Sequence, residues 1–173
     1  MLPDRRHHDT TDYAAQVKHL EAKIHRLSIS LWFGVLTRQG LDEALADLDV
    51  TGLYLVFFDI DRLKQANDRY GKVKSSAYIK ASIQPRANDI LGEKERIIGQ
   101  WFSGDEFVGI FTESEVLGYA QRVQRTLHQY QMSATFIILP ATHRVNVLRT
   151  IDYADAVCQM LKARGVRNRI VRL

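Results

Sequence analysis

Apolar positions along the chain follow two periods, and each period marks a different kind of element. Near the start, Tyr13, Val17, Leu20, Ile24, Leu27 and Leu31 recur at alternating steps of four and three. That is the a/d stripe of a coiled coil, and polar residues fill the positions between. Gly34 to Gly40 reads as a turn, after which Leu41, Ala44, Leu45 and Leu48 form a short helical face. Leu53 to Phe58 is apolar on both faces, as in a central, fully buried strand. Arg62 to Tyr70 reads as a short helix closed by Gly71, and Lys72 to Leu91 as a longer one that Pro85 should kink. Ile97 to Phe102 and Phe107 to Phe111 flank a small, acidic centre and predict a β-hairpin. The spacing then predicts a helix over Glu113 to Tyr130, a strand over Met132 to Leu139 and a helix over Val147 to Arg164. A final edge strand runs from Asn168 to Arg172. Helices packed on a sheet that mixes crossovers with a hairpin give an α+β fold.

The 173 residues suggest one globular domain, with residues 1–33 as a helical stalk and 34–173 as the folded unit. The single cysteine, Cys158, lies in a predicted helix and reads as a small buried hydrophobe in a reducing compartment. The N-terminus has no apolar core of a secretory signal, and Ile29 to Leu36 is too short to span a bilayer. The expectation is therefore a cytoplasmic protein without a membrane span. Net charge is +4, with Arg164, Arg167, Arg169 and Arg172 clustered at the end. Such a cluster is either a solvated surface or an anion-binding face.

Chemistry concentrates in two places. The hairpin tip is Ser103-Gly104-Asp105-Glu106, where Gly104 offers backbone freedom and close approach for a ligand. The central strand runs straight into Asp59-Ile60-Asp61. Carboxylates at the end of a buried strand are costly unless paired, hydrogen-bonded or bound to a cation. If strand and hairpin are neighbours, Asp59 and Asp105 converge, and two carboxylates with waters and phosphate oxygens are a usual Mg²⁺ site.

Phe58-Asp59-Ile60-Asp61, Lys64, Asn67-Asp68 and Gly71, followed by Ser103 to Phe107, resemble the motifs of the GGDEF family of diguanylate cyclases. The late run Tyr153 to Ala156, Lys162, Gly165 and Arg167 to Arg169 resembles that family's last helix and closing strand. The resemblance implies a palm-like, mainly antiparallel sheet flanked by helices, as in nucleotidyl cyclases. It also implies condensation of two GTP into cyclic di-GMP with Mg²⁺ or Mn²⁺ in a two-fold dimer. On this reading Asp59, the Ile60 carbonyl and Asp105 hold metal, while Asp105 and Glu106 serve catalysis. Lys64 and Lys162 hold phosphate, Asn67 meets the guanine edge, and Ser76, Gly104 and Arg167 complete the substrate site. The stripe Val17, Leu20, Ile24, Leu27 and Leu31 would pair two copies, raising the effective concentration of their sites. It could equally pack on its own domain.

The chain departs from the family pattern at several points. Only Leu36 and Thr37 match the signature that leads into the domain. Ser76 stands where the family has the aspartate that binds guanine, and a hydroxyl cannot make that two-donor contact. Trp101 replaces an arginine, Val166 another, and the inhibitory R-x-x-D motif is missing at Lys94 to Ile97. Two further readings therefore stay open: a domain that binds nucleotide or a partner without turnover, and a purine-promiscuous cyclase making cyclic GMP–AMP. A basic nucleic-acid binder is a weaker reading, and its signature would be salt-dependent DNA affinity.

Overall fold

The computed structural model describes residues 16–18, 29–46, 48–84, 97–102, 104–141 and 147–173. The elements run α1 (Arg38–Ala46), β1 (Leu53–Asp61), α2 (Leu63–Tyr70), α3 (Lys72–Ile83), β2 (Ile97–Gln100), β3 (Glu106–Thr112), α4 (Glu113–Gln129), β4 (Ser133–Pro140), α5 (Val147–Ala163) and β5 (Ile170–Arg172). The strands form one sheet in the order β2-β3-β1-β4-β5. All neighbours are antiparallel except β4 and β5, which are parallel. The sheet is mainly antiparallel and helix-flanked, and β5 lies at its edge, as the pattern predicts.

β1 is central because both of its faces are apolar. Val56, Phe58 and Ile60 point into a cluster completed by Ile79 and Ile83 of α3 and by Val116, Ala120, Val123 and Leu127 of α4. Leu55 and Phe57 point the other way, into a cluster with Leu41 and Leu45 of α1 and Ile151, Ala154 and Cys158 of α5. The sheet is thus the middle of three layers, and alternation along β1 decides which helix each residue meets. Asp59 and Asp61 continue the register of Leu55 and Phe57, so both face α5. Cys158 is fully buried among these residues, and burial pushes its thiol up to about 12.

Two expectations change at the N-terminal end. The predicted turn from Gly34 to Gly40 is shorter, because α1 begins at Arg38 and the Thr37 hydroxyl accepts the Gly40 N–H at 3.2 Å. Thr37 therefore caps the helix, and Gly40 is buried within it. The heptad stripe also fails to reach Leu31. Ile29 bridges Leu36 in antiparallel fashion, and Leu31 sits in the intervening turn, 89% exposed. Phe33 in the same turn is in the core, edge-on to Phe107 at 5.2 Å. Residues 16–18 are helical and Val17 is exposed. Leu20, Ile24 and Leu27, Pro85 with the rest of the predicted long helix, and the charged loop 93–96 lie outside the described residues. No helix among the described residues is long and apolar enough to cross a membrane.

Candidate functional site

The site grows from the end of β1. Antiparallel pairing sets Asp59 opposite Glu106 at the start of β3, and the Ile60 N–H donates to the Asp105 carbonyl at 2.9 Å. Directly opposed residues on one face have Cβ atoms about 5 Å apart, and opposed like charges destabilise a sheet. Glu106 therefore faces Asp59 across the ladder, and the charge of neighbouring Asp105 also reaches Asp59. Burial holds the Asp59 carboxyl above its ordinary range. The Lys162 hydrogen bond and charge pull it down, and the nearby charges of Asp105 and Asp61 push it up again.

Lys162 meets these acids from the last turn of α5. Its ammonium lies 2.7 Å from Asp59 Oδ1 and 3.3 Å from Asp61 Oδ1. It also donates to the carbonyl oxygens of Asp59 at 3.2 Å and Ile60 at 3.4 Å. One turn of helix back, Gln159 Nε2 donates to Asp59 Oδ2 at 3.4 Å. The oxygens of Asp59 and Ile60 thus converge on one cation, here an ammonium. Carboxylate and carbonyl oxygens such as these are hard donors of the kind a divalent ion such as Mg²⁺ takes. Among the described residues no three His, Cys, Asp or Glu side chains gather as a ready-made metal cluster. An ion here would depend on the main-chain carbonyl and on oxygens from a substrate.

Asp61 has a role that sequence reasoning missed. Its carboxylate accepts from the Ser133 hydroxyl at 3.0 Å, the Thr135 hydroxyl at 2.9 Å and the Asn168 N–H at 2.9 Å. It ties β1 to β4 and to the turn between α5 and β5. The signal was available in the step of two from Asp59, which puts both acids on one strand face. Gln159 had a comparable signal, three residues before Lys162 on a helix.

Beside the hairpin lies an open pocket of about 310 Å³. Its walls include Asn67 of α2, Ser76 and Ile79 of α3, Gln100 of β2 and Gly104 of the hairpin tip. Trp32 and Phe33 of the N-terminal turn, Leu63 and Lys72 complete it. Asn67, Ser76 and Gly104 line the same pocket. Gly104 is not held in a left-handed conformation, and a Cβ there would meet nothing within 4 Å. The open space beside it suits a ligand's approach, and backbone freedom is not what the position requires. Lys64 and Arg167 do not line this pocket: Lys64 is exposed on α2, and Arg167 is half-buried in the turn after α5. Trp101 is buried with the Arg38 guanidinium of α1 3.5 Å over its ring.

Solved structures share this architecture. Diguanylate cyclase SiaD from Pseudomonas aeruginosa, in complex with its activator SiaC, superposes with a TM-score of 0.66 at 19% identity, over 95% of this chain and 69% of that one. The coiled coil and GGDEF domain of DgcB from Caulobacter crescentus, in complex with c-di-GMP, gives 0.58 at 21% identity, over 94% and 96%. The fold is that of the GGDEF domains. In sequence, the probable diguanylate cyclase DgcI of Escherichia coli (strain K12) is 29% identical over 99 residues. That match takes in 57% of this chain and 22% of the curated protein, so the chain spans about a fifth of that relative's length. No protein-family model matches the chain. The GGDEF resemblance carried by Phe58 to Gly71 and Ser103 to Phe107 thus agrees with the fold. The Asn67–Ser76 pocket reaches the hairpin tip at Gly104, the residue before Asp105, while Asp59 lies on the sheet face toward α5.

Proposed function

We propose that this chain is a diguanylate cyclase that joins two GTP molecules into cyclic di-GMP. The observation that carries the reading is the pairing of the Asp59–Ile60 strand end with Asp105 of the hairpin, whose preceding residue Gly104 lines the Asn67–Ser76 pocket. Each domain binds one nucleotide, base in the pocket and phosphates toward the acids. The 3′-hydroxyl of each nucleotide attacks the α-phosphorus of the other in turn; each of the two new P–O bonds forms as one bond to pyrophosphate breaks, so two pyrophosphates leave. Such transfer rests on positioning and charge neutralisation. When bound, Mg²⁺ or Mn²⁺ supplies Lewis-acid stabilisation of charge on the phosphate oxygens. Asp59, the Ile60 carbonyl and Asp105 would hold it. Asp105, with Glu106, accepts the proton of the attacking hydroxyl. Lys162, whose ammonium lies beside the Asp59 and Ile60 oxygens, would hold phosphate. Lys64 and Arg167 serve as outlying phosphate contacts. Two copies face each other, paired through the N-terminal stripe, and use of GTP fits a cytoplasmic setting.

Incubation of purified protein with GTP and Mg²⁺, followed by mass spectrometry, tests the reading. Cyclic di-GMP in the wild type and none in Asp105→Asn supports it. No product from folded wild type at high protein concentration sinks it. A second reading, binding without turnover, is favoured by Ser76 in the base pocket and by Lys162 engaged with Asp59. Calorimetric GTP binding with no product would support that alternative.

A further inference from the structure

We infer that the cleft between α2 and the start of β4 is a separate binding site for a small phosphate-class anion, gripped by Arg62, Arg69 and the Gln131 carboxamide. The cleft has a volume of about 250 Å³ and shares no residue with the pocket that Asn67 and Ser76 line. Leu63 and Asn67 of α2 border that pocket, whereas Ala66 and Arg69 border this cleft. Pockets for drug-sized ligands run from about 300 to 1,000 Å³, so this smaller space suits a small ion. Binding here would not require the chain to be a cyclase.

Among the described residues, the non-glycine positions at positive φ are Arg62 at 54°, Gln131 at 55° and Asn168 at 55°. Arg62 and Gln131 line the cleft, and Asn168 fixes its wall, because the Asn168 N–H donates to Asp61 Oδ2. Left-handed backbone is unfavourable for residues with a side chain, and it persists where the surroundings impose it, often at ligand sites. Gln131 shows what the strain secures. It follows α4, its N–H donating to the His128 carbonyl at 2.9 Å and the Met132 N–H to the Leu127 carbonyl at 3.0 Å. Glycine is the usual residue at such a helix end. A glycine would lack the carboxamide, whose Oε1 accepts from Arg69 Nη1 at 2.8 Å and from the Tyr70 hydroxyl at 3.4 Å. Tyr70 is held edge-on to Tyr78 at 5.5 Å, and Tyr78 stacks on Tyr130 at 4.2 Å.

These bonds decide which groups meet an incoming ion. A guanidinium only donates, so the Gln131 oxygen must face Arg69, and the Gln131 N–H₂ remains a donor. The rest of the Arg69 fork and every N–H of the Arg62 guanidinium are donors as well. Among the described residues no ion pair engages either arginine, and both are exposed, so an ion can reach them. Asp61 is the carboxylate on the cleft wall, and it is already engaged. Its oxygens accept from the Ser133 and Thr135 hydroxyls and the Asn168 N–H and pair with Lys162, and its side chain is 1% exposed. Two arginines and a carboxamide donor on one concave wall attract an oxyanion, and the guanidinium fork matches phosphate oxygens in pairs.

The test titrates the full chain with inorganic phosphate by calorimetry, in EDTA and at constant ionic strength set with chloride. Divalent ions and general screening then drop out. Saturation is expected at a single phosphate per chain, with a dissociation constant below about 1 mM. Arg69→Ala and Arg62→Asn should each weaken binding about tenfold, because charge-assisted hydrogen bonds carry such affinity. Asparagine tolerates left-handed backbone, so Arg62→Asn keeps the turn. Arg69→Lys keeps the charge and loses the fork, and its affinity should fall between wild type and Arg69→Ala. Arg149→Ala removes an exposed positive charge from α5, away from the cleft, and should leave affinity within about twofold. In heteronuclear NMR the Gln131 side-chain amide should shift with the same midpoint. Circular dichroism checks that each variant folds. Heat that does not saturate by about 10 mM phosphate overturns the inference. So does equal weakening by Arg149→Ala and Arg69→Ala, which would mean attraction by overall charge. Binding that survives Arg69→Ala and Arg62→Asn but is lost in Lys162→Met also overturns it, since the ion would then sit at Asp59.

Discussion

Lys162 and Asp59 form a close ion pair, 2.7 Å apart, between the last turn of α5 and the end of β1. Both side chains are largely buried, 12% and 8% exposed. Removing one partner of a buried pair strands the other charge, at a cost of about 3–5 kcal/mol. Lys162→Met should therefore lower stability toward that range in urea denaturation. Millimolar Mg²⁺ should restore more stability to this variant than to the wild type, because the acids then lack their cation. Equal response of the two proteins to Mg²⁺ would contradict a shared cation position.

Asp61 should matter as much to folding as Asp59 does to chemistry. Three hydrogen bonds to a buried carboxylate join two strands and the α5–β5 turn. Hydrogen bonds to charged groups contribute about 1.5–3 kcal/mol each, with losses that do not add fully. Asp61→Ala should cost about 3–5 kcal/mol, since it also leaves the Lys162 ammonium short of a partner. Hydrogen exchange locates the effect: the Asn168 amide should lose its protection first.

The pH dependence follows from the raised Asp59 carboxyl. The folded protein binds this proton more tightly than the unfolded chain, whose ordinary value is 3.8. The group's contribution is greatest below that value, declines as pH rises through the folded pKa, and is flat above it. The stability of wild type minus that of Asp59→Asn should therefore fall across this window. A difference that rises with pH would show that Lys162 outweighs burial.

Arg38 links α1 to the base of the hairpin. Its Nε donates to both Asp42 oxygens, at 2.9 and 3.0 Å, while its guanidinium covers Trp101. Partly desolvated cation–π contacts contribute about 1 kcal/mol. Arg38→Ala should cost about that much in denaturation and should alter the near-UV band of Trp101. Arg38→Lys should keep part of it.

Most elements were legible because each carries its own period. The two-sided apolar run of β1, the hairpin flanks and the striped faces of α4 and α5 are local patterns, and local patterns survive folding. Leu31 was misread because its spacing fits a heptad while its conformation is set by a distant event: strand residue Ile98 accepts the Leu36 N–H, and the turn closes around it. Trp32, inside that stripe, gave no signal of its own. Gln100 read only as a strand residue, because nothing local says which cavity a strand end will border.

By itself, the sequence determined the order of elements, the central place of β1, and the two acidic stretches that had to be neutralised somewhere. Those follow from hydrophobic period and from the cost of burying charge, which need no knowledge of neighbours. Only the tertiary structure decided what neutralises them. Antiparallel register carried Asp105 and Glu106 to Asp59, and packing of α5 on that face carried Lys162 and Gln159 to the same oxygens. The same long-range pairing set Trp32 and Gln100 on one pocket from positions far apart in the chain, because a site is a property of converging surfaces.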